Sequence, residues 1–327
     1  VLESARGAAT DFGFMYDWSD VAVCTNVTAD HLFERGIDSV EQMAGLKLLI
    51  VDRARHAVVL NADNAASAGM LGRLTGRRAW MVSASSGPGE LRERFGADVD
   101  CVVAEPDGDV EWLVIYDGDR RIPVLPVGQV PVTLEGRLRY NVSNTLQTIA
   151  ACYQQGISID VIRRELEGFE PNYEINPGRL NFYREHPFTV LFDYAHNEDG
   201  FRHLRAFVDS QEVAGRKIVS YAVVARMDDQ AIRDLAATME GSFDFYLCRN
   251  YPKLYGRQPQ EVPALMKQAL IERGVDESAI LETPHDDCVQ RALEVCRPGD
   301  LLVFCASTKN LHSEWEQITS FRYGEDS

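Results

Sequence analysis

Apolar runs and amphipathic stretches alternate along this chain and fall into two series. The first series holds strand-like runs at 21–27 (VAVCTNV), 57–62 (AVVLNA), 79–84 (AWMVSA) and 100–105 (DCVVAE), with helical patterns near 39–53 and 65–74 between them. Near-continuous Val, Ala and Leu suits strands buried on both faces of a parallel sheet, and their alternation with helices predicts an α/β architecture. EWLVIYDGDRRIPVLPV (111–127) breaks around Asp117-Gly118 and predicts a hairpin. A helix follows near 142–155, with Val142, Leu146, Ile149 and Tyr153 on one stripe and Gly156 as its stop, and another near 158–169.

EPNYEINPGR (170–179) interrupts the pattern with two prolines and a glycine, and reads as a hinge. A fresh series then begins, with strands FTVLFD, KIVSYAVV, FDFYLC and LLVFCA and helices near 198–209, 228–240, 261–273 and 286–296. At 327 residues the chain exceeds the size of most single cores. The expectation is two doubly wound α/β domains, residues 1–176 and 177–327.

Charge narrows the choice of partners. Lys+Arg 33 against Asp+Glu 50 leaves a net charge of −17, a field that repels phosphate backbones, so no nucleic-acid partner is expected. A nucleotide held by a few local arginines is compatible with it. The seven cysteines (24, 101, 152, 248, 288, 296 and 305) form no CxxC pair, and several sit inside apolar runs. They read as reduced core thiols, which predicts a cytoplasmic protein. No apolar run approaches the length of a membrane span, so no membrane partner is expected. Val1-Leu2-Glu3 has no initiator Met and reads like the interior of a strand, so the chain is expected to be a fragment.

Several residues stand out for chemistry. In the helix opening at Ser39, with Gln42 three residues on, Lys47 falls on the stripe of Val40, Met43, Ala44, Ile50 and Val51. A lysine there either snorkels out of the core or has a buried role. A desolvated amine loses its proton more easily and can take up carbon dioxide as a carbamate, an anion able to bind metal. His31, in TNVTADHL (25–32), is either a ligand or a loop hydrogen-bonding group, and Glu3 alone reads as a surface carboxylate. Asn141 and Asn144 share a helix face and offer two amides able to read an adenine edge; the competing reading is helix capping. Arg179, after Pro177-Gly178, either presents its guanidinium to phosphate or pairs with a neighbouring acid. FDYAHN (192–197) ends a buried strand in polar residues, where α/β sheets place ligands; Asp193 suits ribose hydroxyls and Asn197 suits a helix cap. No G-x-x-x-x-G-K-[ST] and no G-x-G-x-x-G occurs in the sequence.

Taken in series, LESARGA (2–8), TNVTADHL (25–32), VLNAD (59–63), RYNVSN (139–144), PGRLN (177–181), DYAHN (193–197) and YGRQPQE (255–261) resemble the motifs of the Mur ligase superfamily, most closely those of the C-terminal half of the cyanophycin synthetases. The resemblance runs from end to end. It implies an incomplete Mur ligase-type central domain followed by a Rossmann-like C-terminal domain. The implied activity is ATP-dependent joining of a carboxylate to an amine through an acyl phosphate, with ATP and Mg2+ as cofactors. On this resemblance Glu3, His31 and carbamylated Lys47 hold magnesium, and Lys47, His31 and Arg179 take part in the chemistry. Asn141, Asn144, Arg179, Asp193 and Tyr194 contact the nucleotide, while His196 and Asn197 border a small-molecule or peptide substrate that brings an amino acid. Relatives of this type often form homo-oligomers. The family's phosphate loop is expected upstream of Glu3, which makes the chain an inactive fragment by itself. The sequence departs from the family pattern at Ala8-Ala9, Tyr140, Glu198 and VARMDDQ (224–230). Those departures keep open a second reading, a non-catalytic Mur-like binding or scaffolding module.

Overall fold

The computed structural model describes residues 1–4, 11–29, 36–74, 76–284, 286–307 and 309–324. It divides into two units, Val1–Glu170 and Pro171–Ser327.

In the first unit six strands form one sheet in sequence order: β1 (Ser19–Cys24), β2 (Ala54–Asn61), β3 (Arg78–Ser83), β4 (Asp100–Asp107), β5 (Val110–Asp117) and β6 (Arg120–Pro126). The first four are parallel, and β5 and β6 are added antiparallel. Asp117 pairs with Arg120, so the turn residues are Gly118 and Asp119, one position past the expected turn. Gly118 has φ 58, a left-handed conformation open to glycine. A second hairpin, absent from the sequence reading, repeats this solution at Gly108, with Asp107 paired to Val110.

Alternation along the strands builds two cores. Val58, Leu60, Met81, Cys101 and Val103 face Met43, Leu48 and Val51 of α1 (Val40–Val51) and Leu91 of α2 (Pro88–Phe95). Val59, Trp80, Val82 and Val102 face Val142, Leu146 and Ile149 of α3 (Arg139–Gln154) and Ile162 of α4 (Ile159–Glu167). Helices thus cover both faces of the sheet. Helix α1 opens as its sequence predicts: Ser39 Oγ accepts from Gln42 N at 3.2 Å, while Gln42 Oε1 accepts from Asp38 N at 2.6 Å. Helix α3 starts at Arg139, three residues before the expected boundary, behind Leu138 as N-cap. Helix α2 escaped the sequence reading because Leu91 is its one buried residue.

The second unit holds a sheet of order β11-β10-β9-β12-β8-β7, parallel except for the edge strand β7 (Asn181–Tyr183). The other strands are β8 (Thr189–Asp193), β9 (Lys217–Ala222), β10 (Phe245–Arg249), β11 (Ile280–Thr283) and β12 (Leu301–Cys305). Its helices are α5 (Glu198–Asp209), α6 (Asp229–Ala237), α7 (Glu261–Glu272), α8 (Cys288–Val295) and α9 (Leu311–Ser320). Val190, Phe192, Ile218, Leu247, Leu302 and Phe304 pack beneath α8 and α9. On the opposite face Tyr221 meets Phe201 of α5 edge-on and donates to Ala236 O of α6.

Residues 171–176 belong to the second unit, six positions earlier than the 176/177 boundary expected from the prolines. The Tyr173 ring stacks on Trp315 of α9 at 4.4 Å, and Asn181 Nδ2 donates to Asn176 O at 3.1 Å. Among the described residues no helix is long and apolar enough to cross a membrane. All seven cysteines are free thiols, and six of them are buried.

Asp300, before β12, joins distant segments: Oδ1 accepts from Arg216 N and Oδ2 from Arg216 Nη2, both at 2.7 Å, and Oδ2 also accepts from Arg297 N at 2.9 Å. Burial acts to raise its carboxyl, but the Arg216 guanidinium and these N–H groups outweigh that and hold it below the usual carboxylate range. A depressed carboxyl contributes stability that is complete above its unfolded value, near pH 4, and is lost as pH falls through the folded value. Asp300→Ala is expected to lower stability by about 2 kcal/mol at pH 7. In urea titrations the difference from the parent should shrink below about pH 4.

Candidate functional site

Three polar assemblies occupy strand or helix ends, two in the first unit and one in the second. At the carboxyl end of β1, Lys47 reaches from α1 and donates from Nζ to Asn26 O at 2.8 Å. Its side chain is half-buried, so the amine neither stands free in solvent nor lies unpaired in the core. The segment it touches is braced from β2. Asn61 Nδ2 donates to Thr25 O at 2.9 Å, Asn64 Nδ2 to Val27 O at 3.0 Å, and Ser67 Oγ to Cys24 O at 2.9 Å. Asp63 accepts from the hydroxyls of Ser83 and Ser85 and from Ala84 N, which ties the end of β2 to that of β3. The VLNADN stretch is therefore a brace for the TNVT segment. Its signal in the sequence was the crowding of Asn, Asp and Ser just past a buried run.

His31 lies outside the described residues. Glu3 is described and exposed. Among the described residues no group of three or more His, Cys, Asp or Glu side chains is arranged to hold a metal ion.

Asn141 and Asn144 meet on the first turns of α3. Because the helix begins at Arg139, Asn141 is its third residue and not the cap. Its Nδ2 donates to Val132 O at 2.8 Å, and its Oδ1 accepts from Asn144 Nδ2 at 3.3 Å. Asn144 is exposed. The pair fixes one amide and leaves Asn144 as the one that faces outward.

At the second unit's sheet, Arg179, Asp193, Tyr194, His196 and Asn197 come together in two adjoining turns. Asp193, at the tip of β8, accepts from Leu180 N on Oδ2 at 2.9 Å and from Ala195 N on Oδ1 at 2.8 Å. Tyr194 N donates to Gly178 O at 2.8 Å, and Ala306 N, past β12, donates to Asp193 O at 2.6 Å. Burial pushes the Asp193 carboxyl up, against the pull of the Leu180 N–H, the Arg179 guanidinium and the Ala195 N–H. Arg179 is exposed, with its guanidinium 5.3 Å from the Tyr194 ring centroid. The Tyr194 and His196 rings lie 4.6 Å apart, and His196 Nδ1 is 3.1 Å from Tyr194 O, which fixes that nitrogen as a donor. Asn197 caps α5, accepting from Gly200 N at 2.8 Å. The capping role and the place beside the site hold together.

Three further braces were not singled out in the sequence. Asn181, almost fully buried, accepts from Gly178 N at 2.6 Å and fixes the turn that carries Arg179. Arg257 of the YGRQPQE stretch donates to Ala225 O and Met227 O at 2.9 and 2.8 Å and pairs with Asp229, locking the turn after β9. Arg249 ends β10 in full burial, and its only advertisement was an arginine closing the run FDFYLCR.

Residues 178–308 match the family of the Mur ligase, glutamate ligase domain. The chain is 27% identical over 308 residues to a cyanophycin synthetase of Geminocystis herdmanii, covering 93% of this chain and 34% of that protein. It is 26% identical over 328 residues to a UDP-N-acetylmuramoyl-L-alanyl-D-glutamate–2,6-diaminopimelate ligase of Geobacter metallireducens, covering 94% of this chain and 59% of that one. The chain thus spans about a third of the length of the cyanophycin synthetase it matches. Among solved structures its fold is similar to E. coli FolC in complex with DHPP and ADP, with TM-score 0.63 and 18% identity over 92% of this chain and 62% of that one. It is likewise similar to the UDP-N-acetylmuramoylalanyl-D-glutamyl-2,6-diaminopimelate–D-alanyl-D-alanyl ligase of Acinetobacter baumannii, with TM-score 0.61 and 14% identity over 92% of this chain and 59% of that one. With two parallel-rich sheets and relatives along nearly its whole length, the chain is similar to the Mur-type ligases, and residues 178–308 are a Mur ligase, glutamate ligase domain.

Proposed function

We propose that this chain is the nucleotide- and amine-handling part of an ATP-dependent ligase that joins a carboxylate to an amine through an acyl phosphate. The observation that carries the reading is Asp193. A half-buried carboxylate at the tip of a parallel strand, beside an exposed arginine and a tyrosine, suits a ribose and its phosphates. In this reading Asp193 and Tyr194 face the ribose, Arg179 a phosphate, and Asn141 with Asn144 the adenine. His196 and Asn197 border the incoming amine, borne by an amino acid or peptide. Arg179 acts by neutralising charge that grows on the phosphoryl group during transfer.

Glu3, His31 and a carbamate on Lys47 would hold magnesium. The fit rests on Lys47, whose amine sits 2.8 Å from the Asn26 carbonyl, at the root of the segment that continues to His31. Carboxylate and carbamate oxygens suit a hard divalent cation. Magnesium, when bound, supplies charge neutralisation at the transferring phosphoryl group. A second reading, a binding or scaffolding module without catalysis, draws on the departures from the family pattern at Ala8-Ala9 and VARMDDQ (224–230).

The purified chain is expected to bind MgADP in calorimetry without releasing ADP from ATP. Asn144→Ala should weaken that binding by about fivefold, the loss of roughly one hydrogen bond. ADP release in step with an amide product would refute the lack of activity, and no nucleotide binding at all would refute the reading itself.

Asp193→Asn removes a costly buried charge but turns an NH2 towards Leu180 N or Ala195 N. It is therefore expected to lower stability by about 2 kcal/mol in denaturant melts and to weaken MgADP about tenfold. An unchanged affinity would remove Asp193 from the nucleotide site.

With 13C-labelled bicarbonate, a carbamate resonance is expected in the parent chain and not in Lys47→Arg. A plain amine at Lys47 under saturating bicarbonate would favour the scaffolding module.

A further inference from the structure

We infer that Glu314 is a positioning residue for the Arg179–Asp193 site, and that its pairing with Arg249 sets the register of α9 on which that site depends; this rests on the reading of the site given above. Glu314 is 3% exposed and Arg249 1% exposed. Their charged atoms, Arg249 Nη1 and Glu314 Oε1, lie 3.8 Å apart, too far for a hydrogen bond. Among the described residues, Glu314 Oε1 and Arg249 Nε and Nη1 have no hydrogen-bond partner. The guanidinium is 4.9 Å from the Phe304 ring centroid. Burial pushes the Glu314 carboxyl up, against the attraction of Arg249 and the Ser307 N–H.

Two desolvated, incompletely bonded charges are a poor way to fasten a helix, and well-packed apolar side chains would hold it at least as firmly. What charges add is direction. Glu314 Oε2 accepts from Ser307 N at 2.9 Å, and the preceding residue, Ala306, donates to Asp193 O at 2.6 Å. At its other contact α9 presses Leu311 onto Gly178, where an added Cβ would lie 2.6 Å from Leu311 Cδ1. Gly178 has φ +73, a backbone conformation that favours glycine, and a side chain there would push Leu311 aside. Gly178 precedes Arg179, and its carbonyl accepts from Tyr194 N at 2.8 Å. Any slide of α9 therefore reaches both turns of the site. The stack of Trp315 on Tyr173 adds attachment on the same helix but tolerates sliding, because ring faces are flat.

The test uses the full chain and two variants. Arg249→Met with Glu314→Leu removes both charges together and leaves neither buried alone. Glu314→Gln keeps an acceptor for Ser307 N. Thermal melting, amide hydrogen exchange at Leu180, Ala195 and Ala306, and MgADP affinity are read for each. The double variant is expected to melt within a few degrees of the parent, to exchange those three amides about tenfold faster, and to bind MgADP about tenfold more weakly. Glu314→Gln should keep exchange within about threefold of the parent. Parent-like exchange and affinity in the double variant would overturn the inference. So would a uniform rise in exchange across both faces of the sheet together with a large fall in melting temperature, because that marks a structural role alone. A parent chain that binds no MgADP would refute the proposed function, while the exchange data would still decide whether Glu314 positions the two turns.

Discussion

The end of the second unit's sheet is organised by one carboxylate. Asp193 accepts an N–H from each of two different turns with its side chain and a third from the residue after β12 with its carbonyl. Together with the Tyr194 N–H to Gly178 O bond, it ties the turn carrying Arg179 to the turn carrying His196. Its burial makes the charged form expensive, and the N–H groups and Arg179 offset part of that cost. A fold indifferent to what lies at this strand tip would have little reason to keep an acid there.

The first unit meets the same requirement by different means. No single acid dominates; instead Asn61, Asn64, Ser67 and Asp63 share the backbone groups at the ends of β1, β2 and β3. Short polar side chains of this kind satisfy carbonyls and N–H groups that a parallel sheet leaves open where its strands stop. Lys47 joins the network at Asn26, so its amine is held at a strand end although it comes from a helix packed on the core.

Much of this architecture was legible before the coordinates. Central strands such as FTVLFD and LLVFCA announce themselves because burial on both faces leaves few positions for polar residues. The elements that escaped are those with little to bury: the three-residue edge strand β7, the four-residue β11, α2 with its lone Leu91, and α9, which fully buries only Glu314 and Ile318. The hairpin at Gly108 carried the same Asp-Gly-Asp as its neighbour at Gly118, and Pro106 obscured it. At the site, the residues of PGRLN and DYAHN are close in space because β7 and β8 are adjacent strands, a pairing hidden from the sequence by the shortness of β7. Why Asn141 is not a cap was not readable, because the helix starts earlier through Leu138, a residue with no capping signature. The pairing of Arg249 with Glu314 joins positions 65 apart (314 − 249) on different elements, and nothing local marks it.

The seven free thiols have a consequence for handling the protein. Six are buried, two in the first unit and four in the second, and desolvation raises them, with Cys101 pushed up to about 12, so in the folded state they are poor nucleophiles towards oxidants and alkylating reagents. Opening either core would release several thiols at once, each with ordinary reactivity and each able to cross-link to another chain. Survival in an oxidising buffer is then governed by how often the cores open rather than by the equilibrium between folded and unfolded forms, and a reductant would lengthen shelf life without altering the melting point.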